Sequence, residues 1–276
     1  MGFICPICSL ELVRSEQVMR CASGHCYDIS RAGTVNLLLS QKSGKKRHGD
    51  DALMLRARRD FLSRGHYDCI IDEVCRAACD YAPESCTLLD IGCGEGTYTA
   101  RLYDRLTAEG HNACVMGIDI SRDALKMGAQ LCSRLELAVA SAFRLPVGDA
   151  SCDIALSVFA PSSPEEIDRV LKKGGVFIRV APLSEHLMGL KRAVYDNPRE
   201  NKPDVFSLPG FEIISERTVR RTLTLDNQDD IRSLFMMTPY YYKTGQADQQ
   251  KVSAMDSLTT QIECAVRIYR RAEERA

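Results

Sequence analysis

Thr87-Leu88-Leu89-Asp90-Ile91-Gly92-Cys93-Gly94-Glu95-Gly96 reads as a short buried strand running straight into a glycine-rich turn, with a helix predicted from Thr97. Glycines here permit a tight turn and let a ligand approach the backbone closely. Thr97 stands where a dinucleotide fingerprint would carry its last glycine, and Asp90 comes two residues before the first. That version suits an adenosyl ligand with a cationic sulfonium and an amino-acid tail better than a pyrophosphate. The next strand ends in Gly117-Ile118-Asp119-Ile120-Ser121, where the Asp119 carboxylate can accept both ribose hydroxyls. Asp90, Gly92, Gly94, Gly96 and Asp119 are therefore candidate cofactor-binding residues, and the expected cofactor is S-adenosyl-L-methionine.

Outward from this stretch, Cys86–Ile91, Cys114–Ile120, Leu135–Ala140, Cys152–Val158 and Gly175–Ala181 are apolar runs of strand length, most of them separated by helical stretches. This is the pattern of a parallel sheet built from βαβ units. Val219–Leu225 and Cys264–Tyr269 alternate as two further strands. The expected fold class is α/β, a class I methyltransferase Rossmann-like sheet. Upstream, a helix is predicted after the Asp50/Asp51 cap, stopping at Gly65, and a second over Tyr67–Tyr81.

The N-terminus reads differently. Cys5-x-x-Cys8 is followed by Cys21-x-x-x-His25, with a further thiol at Cys26. Two such pairs about a dozen residues apart can complete a tetrahedral shell around a structural Zn2+. So short a segment buries little apolar surface, and the metal would supply much of its folding free energy. Spacing leaves His25 and Cys26 both open as the fourth ligand. The expected organisation is a small N-terminal zinc-binding domain at 1–38, a basic linker at 39–51 and the methyltransferase domain at 52–276.

Composition bounds the rest. The chain has 276 residues, 45% hydrophobic and 26% charged, with a formal net charge of −1, as expected of an ordinary globular protein. No apolar run approaches the roughly 20 residues that span a bilayer, and Met1–Pro6 lacks the features of a secretory signal, so a cytoplasmic protein without membrane contact is expected. Its 13 cysteines then read as metal ligands where clustered and as core filler where scattered. From Lys42 to Arg64 eight Lys or Arg stand against three Asp, a balance of +5. This stretch is a candidate phosphate-contacting surface.

Several motifs together resemble the bacterial 23S rRNA (guanine-N1)-methyltransferases, a family that includes tylosin- and mycinamycin-related resistance enzymes. They are Cys5-Pro6-x-Cys8, Cys21-x-x-x-His25, Tyr27-Asp28, Val35-Asn36-Leu37-Leu38 and Ala57-Arg58-Arg59-x-Phe61-Leu62-x-x-Gly65-His66-Tyr67. Further on come the Asp90–Gly96 loop, Ala160-Pro161, His186-Leu187-Met188-x-Leu190-Lys191 and Met237-Thr238-Pro239. The resemblance covers almost the whole chain. It implies Cys5, Cys8, Cys21 and His25 as zinc ligands, and cofactor contacts from Tyr67, Gly94, Glu95 and His186. It also implies a guanine in a 23S rRNA hairpin as substrate, and a second copy of the chain is a candidate partner. Ser141 stands where many class I methyltransferases bind the adenine amino group with Asp, and family members tend to have Ser there.

Guanine N1 carries a proton that must leave before it can attack, so a general base or a group stabilising charge on O6 is expected. The candidates are His66, His186 and the carboxylates near the loop after Val158. Phe159 and Tyr240-Tyr241-Tyr242 are candidates to hold an unpaired base. A small-molecule methyltransferase with a zinc knuckle and a non-catalytic RNA- or ribosome-binding adaptor are the alternatives. RNA binding and methyl transfer discriminate among the three.

Overall fold

A computed structural model describes residues 2–39 and 51–272. The basic linker expected at 39–51 lies, but for its two ends, outside the described residues, and with it Lys42, Lys45, Lys46 and Arg47. The N-terminal part forms β1 (Val13–Ser15), β2 (Val18–Arg20), β3 (Cys26–Asp28) and β4 (Val35–Asn36). Then follow α1 (Ala52–Ser63), α2 (Asp68–Cys79), β5 (Ser85–Ile91), α3 (Thr97–Ala108), β6 (Asn112–Asp119), α4 (Arg122–Leu131) and β7 (Glu136–Val139). The second half runs β8 (Cys152–Val158), α5 (Pro164–Val170), β9 (Leu171–Pro182), α6 (Met188–Val194), β10 (Phe211–Leu225), α7 (Gln228–Met236), α8 (Gln246–Ser253) and β11 (Leu258–Arg271).

Eight strands form one sheet in the order β10-β11-β9-β8-β5-β6-β7-β4. Those from β9 to β4 pair in parallel, whereas β11 runs antiparallel to both β9 and β10. The chain leaves β5 for β6 on one side and β8 lies on the other, which opens a crevice at the carboxyl ends of the strands where such sheets bind ligands. The five parallel strands expected from apolar runs are all present. The two C-terminal strands are longer than expected; in β10 the first half is a sheet edge with mostly exposed or half-exposed side chains and carries no hydrophobic alternation.

Because side chains alternate across a strand, the two faces of the sheet have separate cores. Leu88, Val115, Ile154 and Ile178 pack against α2, α3, α6 and α7, while Leu89, Ile118, Ala155 and Phe177 face the other way. On that second face the β7–β8 connection has no helix. The space is covered by the N-terminal segment, whose Phe3, Leu12, Val35 and Leu37 join the same core. Backbone bonds fix it there: Ile4 N–H donates to Pro146 O (2.8 Å) and Leu37 N–H to Val139 O (2.9 Å). β4 adds to the sheet edge in parallel with β7. The small β1-β2-β3 sheet is thus joined to the large one through β4.

Helix α1 starts as the sequence predicts. The Asp51 carboxylate accepts from the N–H groups of Leu53 (3.0 Å) and Met54 (2.9 Å), and Gly65, just past the end, takes a left-handed conformation. Its C-terminal end is tied to α7 through buried Asp230, which bonds Arg64 and accepts from Asn227 Nδ2 at 2.7 Å. No helix among the described residues is long and apolar enough to cross a membrane.

Candidate functional site

The carboxyl ends of β5, β6, β8 and β9 open into a cavity of about 970 Å³, at the upper end of the range for small-molecule sites and roomy enough for a cofactor plus a substrate base. Seven of the eight cofactor residues expected from the sequence line it. Gly96 does not. It is left-handed, and a Cβ on it would come 2.8 Å from Gly128 Cα, so it seats α3 against α4 beneath the loop. A Cβ on left-handed Gly92 would come 2.5 Å from Ala160 Cβ, so the glycine loop and the turn after β8 touch.

Asp119, at the end of β6, accepts from Gly94 N–H (3.0 Å) and Ser121 N–H (2.8 Å). Asp90 is buried beneath the loop; burial pushes its carboxyl up to about 7, with Thr99 Oγ1 donating to it at 2.6 Å. Glu95 is buried as well, its carboxylate held by Thr97 through Oγ1 (2.8 Å) and N–H (3.3 Å). Ser141 lines the cavity near β7, its Oγ accepting from Phe143 N–H at 3.2 Å.

Tyr67 and His186, far apart in sequence, meet across the cavity with ring centroids 6.2 Å apart. His186 is buried, and its Nδ1 accepts from Glu263 N–H at 3.1 Å. A neutral imidazole that accepts through Nδ1 carries its proton on Nε2. Burial pushes the His186 pKa down to about 4, and nearby Lys191 adds to this. His186 is therefore a hydrogen-bond donor at the cavity, which does not suit it to the role of general base for which it is one candidate.

The other base candidates are turned elsewhere. His66 lies 3.1 Å from Asp230 and packs at a tilt on Phe61, off the cavity wall. After Val158, Glu165 accepts from Ser163 Oγ (2.6 Å), and Glu166 binds Arg169 (2.7 Å) and Leu145 N–H. Neither lines the cavity. Of the tyrosine run only Tyr240 does so; Tyr241 packs on Phe235 and Tyr242 bonds Asp51.

Sequence reasoning missed other parts of the wall. Tyr98, in the first turn of α3, lines the cavity, and its Oη is buried with no hydrogen-bond partner among the described residues. Arg58 and Asn201–Val205 also line the cavity. Arg58 belongs to a quoted motif, but nothing in the sequence marks the second segment. It is pinned by Asp204, which pairs with Arg179 (2.9 Å) and Arg267 (3.3 Å).

At the N-terminus, one ligand atom from each of Cys5, Cys8, Cys21 and His25 lies within 4.8 Å of all the others. Cys8 Sγ is 3.6 Å from Cys21 Sγ, and His25 Nδ1 is 3.4 Å from Cys21 Sγ. Tetrahedral zinc with Zn–S near 2.3 Å needs sulfur–sulfur edges of about 3.8 Å, so the group fits the ion. Cys26 is exposed and its Sγ turns to Gly24 O at 3.3 Å, away from the cluster. Tyr27 Oη contacts Cys5 Sγ at 3.1 Å, and Arg144 donates to Pro6 O at 2.8 Å, tying the knuckle to the loop that carries Ser141.

The His186 arrangement has a measurable consequence. An unfolded histidine titrates near 6.5, so as pH falls the unfolded chain takes the proton first. The contribution of His186 to stability is therefore complete above about pH 6.5 and is lost as pH falls toward 4. In ¹⁵N-resolved spectra its imidazole should remain the Nε2–H tautomer from pH 5.5 to 8; a titration centred at 6–7 would contradict the geometry.

The chain is similar to known proteins over most of its length. Residues 83–243 match the family described as "Methyltransferase domain", and residues 3–46 match a zinc-ribbon family described as "RlmA, N-terminal". A 23S rRNA (guanine(748)-N(1))-methyltransferase from Streptomyces fradiae is 35% identical over 81% of this chain and 80% of its own length. A protein from Micromonospora griseorubida, provisionally named a 23S rRNA (guanine-N(1)-)-methyltransferase, is 32% identical over 96% of this chain and 95% of its own. A protein of the same provisional name from Bacillus subtilis (strain 168) is 31% identical over 93% and 91%. With the zinc ribbon, the methyltransferase sheet and this likeness over most of its length, the chain belongs to the 23S rRNA (guanine-N1)-methyltransferase family.

Proposed function

We propose that this protein transfers a methyl group from S-adenosylmethionine to N1 of a guanine in a 23S rRNA hairpin, working in the cytoplasm. The observation that carries the reading is the joining of an adenosyl-type glycine loop and a zinc ribbon in one chain that matches enzymes named for this reaction over most of their length. When bound, the cofactor supplies a methyl group made electrophilic by its sulfonium. In our reading Asp119 accepts the ribose hydroxyls, and Gly92 and Gly94 leave room for the adenosyl group against the backbone. Asp90 and Glu95 lie where an ammonium tail would hold their buried carboxyls ionised. Tyr67, Tyr98 and the Nε2–H of His186 complete the wall, and their burial excludes water from the path of an in-line transfer. The proton of guanine N1 leaves without help from His66 or His186, since neither offers an acceptor to the cavity.

We assign residues 1–38 to a zinc module with Cys5, Cys8, Cys21 and His25 as ligands, and 52–276 to the transfer domain. The module and the basic stretch at 39–51 would add contacts to the hairpin beyond the reacting base.

Purified protein incubated with tritiated S-adenosylmethionine and 23S rRNA from a strain lacking the modification should label the rRNA and create one new primer-extension stop at a guanine. RNA binding without transfer, or transfer to small amines or phenols alone, would overturn the reading. The protein should also carry one zinc per chain. Cys5→Ser and Cys21→Ser should lose it and destabilise the N-terminal module, because structural zinc contributes on the order of 10 kcal/mol to so small a fold. Cys26→Ser should keep the metal and change stability by less than about 0.5 kcal/mol. Stoichiometric zinc in the Cys5/Cys21 double variant would show the ligand set to be wrong.

A further inference from the structure

We propose that Phe159 is the platform on which the target guanine stacks while its N1 faces the methyl donor; this rests on the guanine-N1 reading above. Phe159 is the first residue after β8 and lines the cavity. One face of its ring stacks on His186, with centroids 5.6 Å apart and planes inclined by 28°. Phe159 is 42% exposed; Phe143, the other phenylalanine of the cavity wall, is more exposed at 65% but has no aromatic ring stacked behind it among the described residues. An exposed aromatic ring backed by a second ring suits a flat ligand.

The backbone strengthens the case. Phe159 has φ of +53°, a left-handed conformation that phenylalanine rarely adopts. Three of the other four non-glycine residues of this kind, Ser9, Glu16 and Ala150, are small or polar residues away from the cavity wall; the fourth is Leu187, directly after His186. If only a turn were needed, glycine or asparagine would make it without strain. The turn is held from both sides: Phe159 N–H donates to Val180 O at 3.1 Å, and Ala160 sits against the missing side chain of Gly92. His186 behind the ring is fixed by Glu263 N–H. Strain at a ring pointed into a ligand cavity, on an immobile support, is the pattern of a positioned binding group.

Its place in the sheet decides which ligand it meets. Asp119 ends β6, on one side of β5, and the adenosyl group belongs there and toward β7. Phe159 directly follows β8, on the other side of β5, at the half of the cavity left for the acceptor. Stacking is indifferent to base identity because every base has a π-face; Phe159 would hold the guanine without selecting it.

The test compares Phe159→Ala, Phe159→Leu, Phe159→Gly and Phe159→Tyr for methylation of a 23S hairpin fragment, S-adenosylhomocysteine affinity and thermal unfolding. Alanine, leucine and glycine should each lower kcat/KM by about 10- to 100-fold, the worth of one base–aromatic stack, and tyrosine should stay within a few-fold of wild type. S-adenosylhomocysteine affinity should change less than twofold in all four. Phe159→Gly should unfold at a higher temperature than Phe159→Ala, since glycine suits the left-handed backbone, yet be equally impaired, so that activity follows the ring and not stability. Wild-type turnover by Phe159→Leu, or losses matched by weaker S-adenosylhomocysteine binding, would overturn the proposal. If the wild-type protein itself left the hairpin unmethylated, the guanine-N1 reading would fall first and the platform with it.

Discussion

The chain has to leave β5 in a turn that three alternating left-handed glycines make possible, and much of the site follows from that turn. Gly92, Gly94 and Gly96 have φ of +76°, +58° and +85°. This geometry turns Gly94 N–H toward Asp119 on the neighbouring strand and lets α3 begin against Gly128 of α4. It also admits Ala160 against Gly92, which fixes the turn after β8. The loop therefore registers two strand ends with each other. A side chain at any of the three positions would adopt a strained backbone, and at Gly92 and Gly96 it would also collide with a neighbour.

A second constraint lies at the far edge of the sheet. The β7–β8 crossover lacks the helix that would bury that face, and the N-terminal segment covers it with Phe3, Leu12, Val35 and Leu37. Too short to hold itself together by apolar burial, the segment gathers Cys5, Cys8, Cys21 and His25 around a position fit for zinc. The metal group and the cavity are coupled mechanically, because Arg144 joins the knuckle at Pro6 to the loop that carries Ser141.

Much of this was legible in the sequence, for identifiable reasons. A parallel strand is buried on both faces, so β5, β6 and β8 stand out as apolar runs; glycines and an Asp at fixed offsets mark the loop and the end of β6. Asp51 announces the start of α1 because a helix cap is a local interaction. What stayed hidden depends on distant partners. Two-residue β4 has no periodicity to detect, and the first half of β10 is an edge whose polar side chains hide the strand. His66 and His186 look alike in sequence, but one is drawn to Asp230 and the other is fixed by the backbone of β11. Tyr98 and the Asn201–Val205 segment gain their meaning only once the cavity exists.

The central claim is that the loop after β5 and the carboxylate after β6 together form the adenosyl site. Calorimetric titration of S-adenosylhomocysteine into the wild-type protein and Asp119→Asn tests it most directly. Asparagine keeps an acceptor for Gly94 N–H but loses the charge and one of the two oxygens offered to the ribose. The account predicts an affinity about 10- to 100-fold weaker, the worth of a hydrogen bond to a charged group, with little change in the unfolding temperature. Equal affinity in the two proteins would contradict it.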